Sequence, residues 1–266
     1  MQLSLLPRTR PKGQLLKWVG NKYKYAHIIT SYFPEEYNRY FEPFLGIGAV
    51  LATLAPKNAI AGDIIKPLTD FWKLVQSDPD ALAEYYERII SSFNKERTQV
   101  YQEVKDRYNK SPNAFDLMIL SRTCYGGVMR FTQEGTISTP IGPHKPIEPT
   151  TFAARLREWH ERVKNTVIVH QSFTDTLESV GDGDLVYCDP PYIDSQPILY
   201  GAQEFIFTEL IHVIDSCKRR GAKVVLSIDG TKKSGTKRIK LHEPPRFSRR
   251  LFLLSQATWT CAFPLR

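Results

Sequence analysis

The sequence predicts an α/β protein, a doubly wound parallel sheet interrupted by an inserted and mainly helical domain. Three observations carry that expectation. Short apolar runs alternate with helically spaced segments at both ends of the chain. The middle is largely helical, and two of the apolar runs end on an acid, Asp63 and Asp189. Strands that alternate with helices in this way assemble side by side as parallel strands of one layered sheet.

"YNRYFEPFLG" (37–46) reads as a strand running into a glycine turn, "IGAVLATLA" (47–55) as a short helix, and "NAIAGDI" (58–64) as a second buried strand ending on Asp63. Segments 66–76 and 78–93 have helical spacing; the second opens with Asp78 as N-cap and Pro79 at the first helical position. Two more helices follow at 97–109 and 113–122. "GGVMRFTQEGTISTPIG" (126–142) alternates as a β-hairpin does, with its turn near Glu134-Gly135. A helix at 150–163, strands at 166–172 and 184–189, a helix at 203–220 and a strand at 222–229 complete the pattern. The domains expected are a catalytic unit of 1–76 and 166–229, an insertion of 77–165, and a basic tail, 230–266.

The 266 residues, 42% of them hydrophobic, suffice for one full core plus an insertion. No apolar run approaches eighteen residues, and "MQLSLLPRTRPKGQ" lacks the apolar segment of a signal peptide. No membrane partner is expected. The four cysteines lie far apart without a Cys-x-x-Cys pair, which argues against a zinc site or disulfide framework and for a reducing cytoplasm. The net charge of +8 suggests a polyanionic partner, yet nine of the 36 Lys/Arg and only one of the 28 acids fall in 230–266. The remainder is neutral, 27 against 27. Residues 1–34 form a second basic patch, with six Lys/Arg and no acid. Either patch alone reads equally well as a solvated face.

The chemistry-bearing stretches are two. In "FEPFLGIGAV" a Gly-x-Gly directly after a strand and opening a helix lets backbone amides approach a ligand closely, although many such corners need glycine merely to pack. Asp63, ending the next strand, is placed to accept from the hydroxyls of a ribose. A nucleoside-containing cofactor without a pyrophosphate suits both features, and S-adenosylmethionine is such a molecule. In "DLVYCDPPYI" (184–193) a buried strand ends on Asp189, followed by Pro190, Pro191 and Tyr192. The prolines offer carbonyls with no competing amide donors at fixed φ, and the tyrosine offers a flat face. An acceptor cluster beside a stacking ring fits a planar substrate with an exocyclic amine, such as adenine, and orients the amine lone pair towards an electrophilic methyl. The plainer reading is a rigid turn ending a strand.

With "LLKWVGNK" (15–22), "AGDI" and the hairpin "CYGGVMRFTQEGTISTPIG", these motifs resemble the Dam-related family of adenine-N6 DNA methyltransferases, in order and over about 15–229. The resemblance implies a Rossmann-like methyltransferase sheet and no metal. It implies S-adenosylmethionine as cofactor, with Trp18, Lys22, Glu42, Phe44, Gly46, Gly48, Asp63 and Asp189 at its site. Asp189, Pro190, Pro191 and Tyr192 become the catalytic group. The substrate implied is double-stranded DNA, whose target adenine must be flipped out because N6 is unavailable while paired. Arg122, Tyr125, Arg130 and Pro140 become DNA-facing, with Arg130 reading a guanine edge. Arg8, Arg10 and Lys12 are placed to touch phosphates. A monomer working in a restriction–modification system beside a cognate endonuclease completes the implication. Without it, Lys22 reads as a surface lysine and Trp18 as a core aromatic. Other amines stay open as substrates (cytosine N4, RNA adenine, a protein amide), as does a decayed, non-catalytic DNA-binding protein.

The chain departs from the pattern after "LSIDGTKKSG", where the family continues with a helix and two edge strands. Here a basic, proline-broken segment stands instead, and the expectation is that the last thirty or so residues are foreign to the fold; a divergent tail that holds DNA is the alternative.

Overall fold

The computed structural model describes residues 8–132, 134–191 and 205–227. Tyr192, the start of the helix expected from 203 and the whole basic tail lie outside them. The sheet consists of β1 (Tyr40–Glu42), β2 (Ala59–Asp63), β3 (Thr166–His170), β4 (Leu185–Cys188) and β5 (Lys223–Leu226), all parallel, in the order β3-β2-β1-β4-β5. Strand order reverses between β1 and β4, and a crevice opens there at the carboxyl ends, as open α/β sheets provide. The doubly wound expectation is met.

The helices follow the predicted spacing. After α1 (Ala26–Ser31), which no pattern in the sequence had marked, come α2 (Ala49–Leu54), α3 (Lys66–Ser77) and α4 (Pro79–Phe93), then α5 (Arg97–Lys110), α6 (Ala114–Thr123) and α7 (Pro149–Val163). A single turn, α8 (Phe173–Thr176), precedes β4, and α9 (Phe207–Arg219) precedes β5. Asp78 caps α4 as expected, accepting from the Ala81 amide at 3.0 Å with Pro79 opening the helix. Cap residues satisfy amides that the first helical turn leaves unpaired.

Residues 77–165 do not stand apart from the sheet's own helices. Trp72 of α3 lies 5.4 Å from Trp159 of α7, and Tyr86 of α4 stacks on Phe152 of α7 at 4.0 Å. All four belong to one continuous buried cluster that includes Leu51 of α2 and Leu68 of α3. Gln76 fixes the point of return, donating to the Val163 and Thr166 carbonyls at 2.7 Å each.

The expected hairpin is present, but as two isolated antiparallel bridges, Cys124↔Ile141 and Phe131↔Ile137, rather than as strands. Its turn lies where predicted: the Thr132 amide donates to Thr136 O at 2.8 Å, with Gly135 at φ +81°. The ladder is short because side chains take its bonds. Asn109 of α5 holds both main-chain groups of Ile137, and the Tyr101 hydroxyl donates to Thr139 O at 2.8 Å.

Candidate active site

The crevice holds a cleft of about 490 Å³, within the range of small-molecule sites. Its floor is the glycine corner after β1. Gly46 (φ +50°) and Gly48 (φ +59°) both adopt left-handed backbone that other residues rarely hold. Their tasks differ. Gly46 lines the cleft, and its carbonyl accepts from Trp72 Nε1 at 2.9 Å. Gly48 does not line it; a Cβ there would press on Trp72 at 3.2 Å, so this glycine serves packing.

Three carboxyl groups converge on the cleft, each in a different state of commitment. Asp63, ending β2, accepts from the amides of Gly46 and Ile65 at 3.0 Å each. Burial raises its pKa, and these amides oppose the rise. Glu42, ending β1, is 2% exposed and accepts from the Tyr40 hydroxyl at 2.6 Å. Burial pushes its carboxyl up to about 8, the Asp189 charge adding to the rise. Asp189, just past β4, pairs with Lys22 Nζ at 2.6 Å. Burial raises its pKa too, but the lysine opposes that. Burial raises both acids on these adjacent strands; at Asp189 the Lys22 charge works against the rise, whereas at Glu42 the Asp189 charge adds to it.

Lys22 is buried, 6% exposed, so the surface-lysine reading fails; Trp18 is 9% exposed and lies in the core cluster while also lining the cleft. Phe44 forms a wall with Phe173, stacked at 5.5 Å, and Phe205, edge-on at 5.9 Å. Pro190 and Pro191 line the rim beside Asp189. The structure therefore brings together Trp18, Lys22, Glu42, Phe44, Gly46, Asp63, Asp189, Pro190 and Pro191. Sequence reasoning missed Phe173, Gln171 and Phe205, which reach the cleft from beyond β3 and before α9. It also passed over Ile64, an apolar side chain 45% exposed at the cleft wall. Its place directly after Asp63 in "AGDI" was a usable signal.

The DNA-facing candidates divide. Tyr125 is 60% exposed at the base of the hairpin, its amide donating to Pro140 O at 2.8 Å, and Pro140 and Arg130 are exposed as well. Arg122 is 7% exposed, and its guanidinium donates to the carbonyls of Gln14 (3.0 Å) and Leu15 (2.9 Å). The structure does not present it to a phosphate. Arg8 and Arg10 donate to main-chain carbonyls of residues 23–34, and Lys12 is exposed. No cluster of metal-ligating side chains occurs among the described residues, and none of their helices is long and apolar enough to cross a membrane.

Comparison with known proteins agrees with this geometry. The family described as D12 class N6 adenine-specific DNA methyltransferase matches residues 18–244, a span that runs into the basic tail. The type II methyltransferase M.MjaIII of Methanocaldococcus jannaschii is 30% identical over 240 residues, covering 80% of this chain and 82% of that protein. The DNA adenine methylase of Vibrio cholerae is 25% identical over 80% of this chain and 79% of its own length. The DNA N-6-adenine-methyltransferase of Escherichia phage P1 is 27% identical over 84% of this chain, which spans only 31% of that longer protein. From the ordered motifs, the parallel sheet with its crevice and these matches, the chain belongs to the D12 class of N6 adenine-specific DNA methyltransferases.

Proposed function

We propose that the protein methylates adenine N6 at a specific site in duplex DNA, with S-adenosylmethionine as donor, in the cleft where Lys22 meets Asp189. The observation that carries the reading is this ion pair, 2.6 Å long, set between a glycine corner and two prolines that cannot donate. The residues present fit the cofactor. Asp63 spends one bond per oxygen on backbone amides and keeps acceptor capacity for ribose hydroxyls. Ile64 and Phe173 offer apolar faces to a base, and Trp18 and Gly46 line the same cleft. When bound, S-adenosylmethionine supplies an electrophilic methyl on a sulfonium centre.

The chain's own groups do the rest. Lys22 favours the ionised form of Asp189 and, through a second bond to Gly20 O at 3.0 Å, fixes its direction. Asp189 and the Pro190 carbonyl accept from the amine of a flipped adenine, leaving the nitrogen lone pair aimed away from them. Tyr192 is assigned to stacking on that base. Pro191 holds the turn. Residues 77–165 form the target-recognition insertion and 1–76 with 166–229 the catalytic unit. On the hairpin, Tyr125 and Pro140 face the opened duplex and Arg130 reads a guanine edge, the contact an arginine fork makes best. The biological setting we assign is modification of a defined site by a monomer; a type II methyltransferase stands among the relatives.

The test is transfer of tritiated methyl from S-adenosylmethionine to unmethylated plasmid DNA, followed by nucleoside digestion. N6-methyldeoxyadenosine is the expected labelled product. Label in N4-methyldeoxycytidine would replace the adenine assignment, and no label with intact DNA and cofactor binding would leave a binding module.

A further inference from the structure

Residues 13–22 run from the helices of the insertion to the cleft and are tied at both ends. The Gly13 carbonyl accepts from Trp159 Nε1 at 2.9 Å and the Gln14 carbonyl from Arg155 at 3.2 Å. Arg122 joins them, one nitrogen donating to both the Gln14 and Leu15 carbonyls. Further on, Gln14 Nε2 donates to Asn21 Oδ1 at 2.8 Å and Asn21 Nδ2 to Trp18 O at 2.6 Å, closing 14–21 into a loop. The next residue is Lys22, on Asp189.

Arg122 also sits at the base of the hairpin. It occupies the last turn of α6, and the neighbouring Thr123 carbonyl accepts from the Gly142 amide at 2.7 Å. Gly127 lies so near the strap that a Cβ there would come within 2.7 Å of the Lys17 side chain. One buried guanidinium thus fastens the strap to the root of the hairpin. Two main-chain carbonyls, the Tyr86 side chain and the face of Phe152, 5.6 Å away, meet its charge. A buried cation so held is stable only while those carbonyls stay in place.

We propose that Arg122 is a positioning residue for methyl transfer: it locks strap 13–22 against the hairpin base, so that Lys22 and Trp18 are set in the cleft from the DNA-facing side of the molecule. This rests on the methyl-transfer reading of the cleft. The strap's main chain is the thing held, so losing the fork loosens the cleft wall without removing any group that touches DNA.

The experiment compares Arg122→Met, which keeps bulk without donors, Arg122→Lys and Gln14→Ala, which leaves Arg122 intact. Calorimetry reads S-adenosylmethionine affinity without DNA, and titrations of unmethylated duplex over a range of salt read the slope of log K against log salt. Arg122→Met removes both bonds and is expected to weaken cofactor binding about tenfold, as much as one good charged hydrogen bond contributes. Arg122→Lys should recover part of this, and Gln14→Ala should weaken binding by about threefold. The salt slope should stay unchanged. Wild-type cofactor affinity in Arg122→Met, or a slope reduced by about one as when a phosphate partner is removed, overturns the proposal. Should Arg122→Met not fold, wild-type affinity in Gln14→Ala overturns it. A wild-type protein that binds no S-adenosylmethionine refutes instead the reading beneath it.

Discussion

At the carboxyl ends of β1, β2 and β4 the polar side chains are buried or half-buried and each is held by a partner, Asp63 by main-chain amides, Glu42 by the Tyr40 hydroxyl and Asp189 by Lys22. Along the hairpin the main chain is held, Met129, Ile137 and Thr139 pack inward, and the side chains of Tyr125 and Arg130 are left outside. Asp63 is gripped by two backbone amides, and Glu42 and Lys22 are 2% and 6% exposed. On the hairpin, Ile137 and Thr139 are pinned through backbone groups by α5, Arg130 has its amide on Thr139 Oγ1 at 2.7 Å, and Tyr125 is 60% exposed. Chemistry on a fixed amine needs side chains of set protonation state and direction, which burial provides. Reading a partner's surface needs a positioned main chain whose side chains stay free to meet it.

The strongest test of that division is Asp189→Ala. Removing the acceptor of the target amine should lower methyl transfer by about a thousandfold or more, roughly 4 kcal/mol of transition-state stabilisation. DNA affinity should change by less than about threefold, because nothing on the hairpin depends on Asp189. Initial rates and gel-shift titration on one duplex supply both numbers. An equal fall in DNA binding would break the comparison, since the cleft would then also be the reading surface.

Glu42→Gln sharpens the cleft side. Folded, Glu42 titrates near 8 against an ordinary 4.5, so the native chain holds a proton that the unfolded chain has released across that window. Its contribution to stability is full below the lower value and is lost as pH rises through the upper one. The variant is neutral throughout. The wild-type stability minus that of Glu42→Gln should therefore decline by about 2–4 kcal/mol between about pH 5 and pH 9 in urea unfolding. A flat difference would mean that Glu42 is already ionised at neutral pH.

The same contrast explains what could be read beforehand. Strand–turn–helix corners, the Asp78 cap and the acids ending β2 and preceding the prolines are local signals, and the sheet with most of the cleft floor followed from them. The family resemblance places Arg122, which leads into the hairpin, on DNA. Its partners within the fold, Gln14 and Leu15, lie more than a hundred positions away in sequence, where no local pattern reports them. Phe173 and Phe205 belong to the cleft for the same reason: sheet order, not sequence neighbourhood, places them beside Phe44. The short α1 and α8 contain 6 and 4 residues, too few for helical periodicity to register; α2, as short as α1, is legible only because a strand and glycine corner precede it. Alternation did predict the hairpin, yet it overstated the ladder, because bonds supplied by α5 leave no mark on hairpin residues.

Asn109 puts the hairpin side of the comparison to its finest trial. Its Oδ1 accepts from the Ile137 amide at 2.7 Å and its Nδ2 donates to the Ile137 carbonyl at 3.2 Å, so one side chain stands where a partner strand would. Asn109→Ala removes both bonds and lets the return arm drift relative to α5. Asn109→Asp keeps the acceptor but turns an anionic oxygen towards Ile137 O. Each should cost about 1 kcal/mol in discrimination between the methylated site, once mapped by sequencing, and duplexes altered at one base pair. Cofactor affinity should not move, since Asn109 touches no cleft residue. The asparagine's two-sided bond makes the ordering informative: because the aspartate keeps one bond but turns the other repulsive, it should discriminate no better than the alanine. Discrimination at the wild-type level in both variants would show that α5 does not set the hairpin, and that its main chain is as free as its exposed side chains.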